Sequence, residues 1–491
     1  MRSAYVVSAA GAAGVLLAGC LMGPDYHRPA VVVPAAFMYE PAQAAAAANV
    51  DWWTQFNDPV LDQLIRDGLA NNKSIKIAAA NVEQASAVVT STRSPLFPQF
   101  NYQAAAGRFK FSQNSTTALP GNISNPTNDY QVLAGASWEL DLWGHIRRLT
   151  ESAQANLLAT EQARRGVILS LVGSVASDYL QLRGFDEQLV IAERTLAAYD
   201  ASLRSMKQKF KYGRVSEMNV EQATSRDETA AAQIPQIKTQ IAVLENALSI
   251  LLGKNPGKIP RGKTIFELTS PAIPAGVPSE LLERRPDLLQ SEQQLIAANA
   301  LIGAAKAQFF PTISLTGASG YSSTDLSNLF KGPARVWSYG GGLTGPIFTG
   351  GLLYGQYKQA QASQKAALVQ YQLAIQSAFA DVENALVSEQ ELSEQVAAQE
   401  RLVTALRGYA QLSQYLFDGG RESYTTVLQA EEDLFPAELN WAAERAALYI
   451  GMVNIYEATG GGWIDDAAKL TTVTAAGTTT DGGSQIAAVV K

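Results

Sequence analysis

Residues 207–223 read KQKFKYGRVSEMNVEQA, and residues 413–430 read SQYLFDGGRESYTTVLQA. In each stretch a helix-forming run stops at a Gly-Arg pair (Gly213-Arg214, Gly420-Arg421) and restarts at a serine (Ser216, Ser423). Glycine takes the positive φ that ends a helix, and serine caps the next one. The same helical hairpin is therefore expected twice, at positions 213 and 420, a spacing of 207.

The spacing reaches well beyond the two turns. Residues 144–253 align without a gap on residues 351–460: Ala153-Gln154-Ala155 recurs as Ala360-Gln361-Ala362, and Gln222-Ala223 as Gln429-Ala430. Upstream the spacing is 213, with Phe97-Pro98 recurring as Phe310-Pro311 and Gly107 as Gly320. The first copy thus holds six more residues between these anchors.

Each copy has one order of elements. A helical stretch comes first, at 60–93 and at 279–308, ended by prolines (Pro95 and Pro98; Pro311) that lack an amide hydrogen and disfavour helix before them. Two strand-like segments follow, separated by a polar loop (112–128 and 322–333). In the second segment of copy one, Tyr130, Val132, Ala134, Ala136, Trp138 and Leu140 fall on one face and Gln131, Gly135, Ser137 and Glu139 on the other, with Leu133 as the exception. In copy two Ile313, Leu315 and Tyr321 share a face, as do Trp337, Tyr339 and Leu343. A helix over 147–211 comes next, about 95 Å long at 1.5 Å per residue. Leu182, Phe185, Leu189, Ala192, Leu196, Tyr199, Leu203, Met206 and Phe210 form a 3,4-spaced seam that packs against partner helices. The return segment has its own seam (Ile234, Ile237, Ile241, Leu244, Leu248, Leu251), and copy two has one broken by Gln399. Pro235 and Pro436 are expected to end or kink the return helices.

The 491 residues carry a net charge of −7, with 47% hydrophobic and 17% charged residues. This is the composition of a folded chain, and nothing in it points to nucleic acid as a partner. One cysteine excludes an intrachain disulfide and a cysteine-based metal site, and two histidines, His27 and His145, offer little for metal binding or histidine-dependent catalysis. Residues 340–345 (GGGLTG) fit G-x-G-x-x-G but lie in a strand and precede Pro346, where a nucleotide fingerprint needs a helix. The chain reads as a non-enzyme without a cofactor.

The N-terminus reads MRSAYVVSAAGAAGVLLAGC. A short basic start and an apolar run too short to span a bilayer mark a secretory signal. Its end, Leu17-Ala18-Gly19-Cys20, resembles a bacterial lipoprotein box, which makes Cys20 the candidate lipidation site and a covalent lipid the only attached group. Leu21 is not the aspartate of inner-membrane retention, so anchoring in the outer membrane is expected. The chain divides into signal peptide (1–19), lipidated linker (20–57), repeat 1 (58–253), Pro/Gly linker (254–278), repeat 2 (279–463) and a disordered tail (464–491). After residue 20 no run of about 18 apolar residues occurs, so any membrane crossing must be a closed barrel. Four strands are too few for that, since known barrels begin at about eight; three chains would supply twelve.

The sequence resembles the TolC-like outer membrane factors, in the lipoprotein (NodT-type) branch that serves resistance-nodulation-division efflux pumps. The residues that carry the resemblance are Cys20 followed by Gly23-Pro24-Asp25-Tyr26 and Arg28-Pro29; Trp52-Trp53, Phe56, Asp58-Pro59 and Leu61; Arg285-Pro286-Asp287; the two Gly-Arg tips; and Gly460-Gly461-Gly462-Trp463. The resemblance implies a mainly α trimeric channel-tunnel with a twelve-stranded membrane β-barrel, four strands per protomer. It would be lipid-anchored in the outer membrane, extend into the periplasm and act as a passive efflux conduit. It also implies three kinds of partner: further copies of the chain to make a trimer, a periplasmic adaptor, and an inner-membrane pump reached directly or through that adaptor. Adaptor docking then falls on Gly213, Arg214, Val215, Ser216, Gly420, Arg421 and Ser423. Asp418 and Glu422 become candidates for an entrance gate, where threefold repetition would gather like charges. The basic cluster Lys207, Lys209, Lys211 and Arg214 offers them possible closed-state partners. Two other readings are a type I protein-secretion channel and a structural coiled-coil lipoprotein; the paired strands with an apolar face argue against the latter.

Overall fold

The computed structural model of the chain describes residues 21–39, 51–112, 124–273, 278–460 and 463–471. The expected signal peptide, Cys20 and the tail beyond 471 lie outside these residues. In chain order, helices α1 (Pro59–Asn71) and α2 (Lys73–Arg93) lead to strands β1 (Gln99–Phe109) and β2 (Thr127–Leu140). Helix α3 (His145–Lys211) then reverses into α4 (Glu217–Leu251). The series recurs as α5 (Pro278–Arg284), α6 (Pro286–Ala307), β3 (Thr312–Ser323), β4 (Arg335–Thr344), α7 (Leu352–Asp418) and α8 (Tyr424–Ala458), followed by a short α9 (Ile464–Thr471). Helices α3 and α7 each have 67 residues, and α4 and α8 each have 35. Gly213 and Gly420 both take φ 68°, and Gly253 and Gly460 take φ 68° and 70°.

The expected helix over 60–93 is two helices. The side-chain oxygen of Asn72 caps α2 by accepting from Ser74 N (2.8 Å) and Ile75 N (3.1 Å), while its Nδ2 donates to Leu251 O (2.8 Å) at the end of α4. The expected helix over 279–308 divides at Arg285, the repeat equivalent of Asn72. Arg285 donates to Ala458 O (3.0 Å), the equivalent of Leu251. Different side chains hold the same joint in the two copies.

Of the two outcomes expected at Pro235 and Pro436, an end or a kink, the helix end does not occur, because α4 and α8 run through both. A proline inside a helix costs about 3 kcal/mol. Here Ile237 beyond the first proline, and Phe435 and Ala437 on either side of the second, are buried, and that packing outweighs the local cost. The tail expected to be disordered from 464 begins as α9 instead, because Trp463, Ile464 and Ala467 bury themselves in an aromatic core.

The contacts divide into two compact units. Unit 1 holds the N-terminal residues through Ala30, Asn81–Thr160 and Gln290–Gln372. Its centre is an antiparallel sheet in the order β1-β2-β3-β4. Alternation and register put Phe100, Tyr102, Val132, Leu315, Trp337, Tyr339 and Leu343 on one face, and Gln103, Gln131, Ser137, Thr316 and Ser338 on the other. Among the described residues, β1 and β4 have no further neighbour, so the sheet is open.

Residues 21–30 strap onto this unit. The guanidinium of Arg148, only 2% exposed, pairs with Asp25 (2.8 Å) and Glu151 (2.7 Å) and donates to Met22 O (3.0 Å). Tyr26 and Arg28 both bond Glu292 (3.1 and 2.8 Å), and Asn299 donates to Pro24 O (3.0 Å). Burial and the Glu292 carboxylate push the Tyr26 hydroxyl pKa up. Gly23, at φ 95°, lies so close to α6 that a Cβ there would collide with the backbone of Gly303.

Unit 2 holds Val31–Ala80, Glu161–Leu289 and Leu373 onward. Trp52 stacks on Tyr456 (5.1 Å), Trp53 meets Trp463 edge-on (5.2 Å), and Phe56 meets Tyr449 (5.6 Å). The N-cap Asp58 is fully buried and accepts from Val60 N (2.9 Å), Tyr179 Oη (2.8 Å) and Lys263 N (3.1 Å). The linker is thereby drawn into the core: Ile265 is buried, and Arg261 ties Asp186 (2.8 Å) to Glu245 (2.7 Å).

Candidate functional site

Both helix reversals lie in unit 2, and the fold packs them together. Leu203 and Met206 of α3, Val220 and Ala223 of α4, and Tyr424, Val427 and Leu428 of α8 form one buried cluster, with Val215 and Phe417 against it. The two turns are built alike. Gly213 N donates to Phe210 O (2.8 Å) and Arg214 N to Lys209 O (2.9 Å); Gly420 N donates to Phe417 O (2.9 Å) and Arg421 N to Leu416 O (2.8 Å). These paired bonds satisfy the last carbonyls of each long helix.

The next helix starts differently at each tip. The Ser216 hydroxyl donates to Asn219 Oδ1 (2.6 Å), and Ser423 Oγ accepts from Thr426 N (3.4 Å). Gly213, Arg214, Ser216, Gly420, Arg421 and Ser423 are exposed, and Val215 is half-buried. Among these seven residues the charged groups are the Arg214 and Arg421 side chains.

The two gate candidates separate in the structure. Glu422 accepts from Ser423 N (3.0 Å) and Thr426 Oγ1 (2.8 Å), and these bonds lower its pKa. It serves as a helix cap. Asp418 is exposed and accepts only from Gln414 (2.9 Å) among the described bonds. The basic cluster pairs with neither acid in the described residues; Lys209 Nζ sits over the Phe417 ring instead (4.6 Å).

Sequence reading missed the charges that tie the hairpins together. Glu438 of α8 is buried and bonds Arg194 of α3 (2.6 Å) and Arg407 of α7 (2.7 Å), joining three helices at one carboxylate. Arg226 of α4 reaches Glu431 (3.3 Å) and the Leu428 carbonyl of α8. Burial raises the Glu431 pKa. A glutamate in an apolar run was the available signal, but its partners lie 31 and 244 residues away.

Of the aromatics near the strand ends, Phe97, Phe100, Phe309, Trp337 and Phe348 are exposed. Trp143 packs at the strand–helix junction, stacked on Phe310 (4.8 Å) and bonded to Pro311 O (2.7 Å), and Trp138 donates to Leu96 O (2.9 Å). Among the described residues no helix is long and apolar enough to cross a membrane, and no cluster is fit for a metal.

The sequence model of the outer membrane efflux protein family matches residues 64–254 and 277–461, one segment for each repeat. The chain belongs to the outer membrane efflux protein family. The Escherichia coli cation efflux system protein CusC is 36% identical over 453 residues, covering 91% of this chain and 96% of that protein. The Pseudomonas putida solvent efflux pump outer membrane protein SrpC is 36% identical over 463 residues, covering 91% and 97%. Among solved structures, CusC superposes with a TM-score of 0.81 at 34% identity over 90% of this chain. The Campylobacter jejuni outer membrane channel CmeC gives 0.86 at 26% identity over 92%. This member of the outer membrane efflux protein family is thus an outer-membrane efflux channel component. The four strands are 10 to 14 residues long, and a tilted strand of about 9–11 residues is long enough to cross a bilayer.

Proposed function

We propose that the chain is the outer-membrane conduit of a tripartite efflux pump, active as a homotrimer. Three open sheets close into a twelve-stranded barrel with the aromatic face toward lipid and the Gln/Ser/Thr face toward a water-filled pore. The long helices of the two repeats line its periplasmic continuation. The observation that carries this reading is the open sheet: an apolar outer face and two unpaired edges are unstable in water alone and in lipid alone, and closure with further copies satisfies both.

Acyl chains on Cys20 anchor each protomer to the outer membrane. The exposed tips at Gly213, Arg214, Val215, Ser216, Gly420, Arg421 and Ser423 receive the periplasmic adaptor, which links them to an inner-membrane resistance-nodulation-division pump. Asp418, rather than the capping Glu422, supplies the acidic ring at the entrance. The cargo is small molecules. Relatives serve cation and solvent efflux on the same fold, which supports a conduit whose selectivity is set by the pump.

Electron microscopy of the detergent-extracted protein tests the reading. A threefold hollow tube is expected; a solid rod or a compact monomer would overturn it. Metabolic labelling with a palmitate analogue tests the anchor, with incorporation expected in the natural chain and lost in Cys20→Ala.

A further inference from the structure

A cavity of about 590 Å³ lies beside the Glu438 clamp, and all of its walls belong to unit 2. Three helices meet around it, with Ala198 and Tyr199 of α3, Ala410 and Gln414 of α7, and Leu434 and Phe435 of α8 among its lining. It stays open because Ala198 and Ala410 are too short to meet across it. Its floor is apolar. Tyr199 and Phe435 are buried edge-on to each other (6.4 Å), and the Tyr199 hydroxyl donates to Glu431 O (3.1 Å). A concave, mostly apolar space of about 300–1,000 Å³ is the usual form of a small-molecule site.

Charge is confined to its two ends. At one end Arg194 gives a terminal nitrogen, and Arg407 its Nε, to the buried Glu438. Two arginines on one carboxylate leave an excess of one positive charge. Among the described bonds, two nitrogens of each guanidinium have no acceptor. Arg407 lies over the Trp441 ring (5.7 Å), which leaves its edge available. At the other end Glu431 is paired with Arg226 (3.3 Å), and Asp418 remains. Asp418 lies about 16 Å along α7 from Arg407 at 1.5 Å per residue, beyond the screening length of about 8 Å at physiological salt. It offers a ligand one exposed carboxylate, whereas the arginine end offers several N–H donors beside a buried aromatic floor.

We propose that this cavity binds a small organic anion with an apolar body, its oxyanion head on Arg194 and Arg407 and its body on Tyr199 and Phe435. The planar edge of a guanidinium matches carboxylate and sulfonate oxygens, and Glu438 holds both arginines in place before the ligand arrives. The ligand lies where α3, α7 and α8 are clamped, so occupancy adds a second bridge between α3 and α7. The site is formed within one chain and stands apart from the conduit reading.

The test is calorimetric titration of the full-length, detergent-extracted protein with naphthalenesulfonate, corrected for titration into detergent alone. Naphthylmethylammonium and naphthalenemethanol carry the same body with a positive and a neutral head. The sulfonate is expected to bind one site per chain, about tenfold or more tighter than either, because charge-assisted hydrogen bonds are the stronger kind. With the sulfonate bound, hydrogen exchange should slow in peptides covering 194–199, 407–415 and 431–438. Ala198→Phe fills the cavity from its exposed rim and should abolish binding. Arg194→Gln, Arg407→Gln and Glu438→Gln together remove the excess charge without leaving a buried charge unpaired, and should weaken the sulfonate about tenfold. Equal affinity for the three probes, tightest binding of the ammonium, or an unchanged sulfonate affinity in the triple variant overturns the anion assignment. No saturable binding, binding that survives Ala198→Phe, or protection confined to other peptides overturns the site. Should Ala198→Phe fail to fold, Gln411→Trp fills the same cavity from an exposed position on α7, and the same outcomes decide it.

Discussion

Glu438→Gln is expected to loosen the lower helices without unfolding the protein. The glutamate is 5% exposed, while its partners Arg194 and Arg407 are 57% and 44% exposed. The loss therefore lies between two limits. A buried hydrogen bond to a charged group contributes about 1.5–3 kcal/mol, and an exposed ion pair about 0–1 kcal/mol. Glutamine keeps the shape and one acceptor oxygen, so it can hold one arginine and must release the charge attraction to both. The free arginine rehydrates. The net change is about 2 kcal/mol, close to a 30-fold rise in the population of locally opened states. Hydrogen exchange followed by mass spectrometry reads this directly in peptides covering 424–445, where faster exchange is expected. Peptides from the Trp52–Tyr456 aromatic core should be unaffected, because additivity holds for sites without shared partners. Exchange at 424–445 within about twofold of the natural protein would refute the claim that this carboxylate holds α3, α7 and α8 together.

Three further outcomes are expected. Arg214→Glu combined with Arg421→Glu should leave trimer yield unchanged and abolish export in a cell accumulation assay, since both side chains are exposed at tips proposed to dock the adaptor; normal export would remove the arginines from docking. Gly23→Ala should lower the thermal unfolding temperature, because the strap must retreat from Gly303, whereas Gly213→Ala meets open space and costs only the positive φ, about 1–2 kcal/mol. The third concerns pH. Burial pushes the Glu457 carboxyl from its ordinary 4.5 up to about 7, against the attraction of Arg285. The folded state then holds this proton more tightly than the unfolded chain, so the stabilisation is whole below about 4.5 and is lost as pH rises through about 7. Thermal scans should show stability falling from pH 5 to pH 8, with a shallower slope in Glu457→Gln; an unchanged slope would show that another group sets it.

The sequence by itself determined the repeat, the hairpin tips, the strand faces and the family, because each is written in local pattern. Gly213 and Gly420 announce a positive φ wherever they occur. Alternation over 130–140 assigns faces without knowledge of the partner strand, and the seam from Leu182 to Met206 needs only helical periodicity. Tertiary structure decided what depends on partners distant in the chain. Pro235 and Pro436 remain helical because packing exceeds a local penalty. Residues 464–471 form a helix because three apolar side chains find the Trp52–Tyr456 core, which tail composition averages away. Asn72 and Arg285 divide their helices because each has a carbonyl to reach, Leu251 O or Ala458 O, more than 170 residues on. Glu422 acts as a helix cap because a serine amide and a threonine hydroxyl reach its carboxylate, and Glu438 gained its role from two arginines on other helices. Periodicity encodes which face a residue occupies; only the folded chain shows which group waits on the other side.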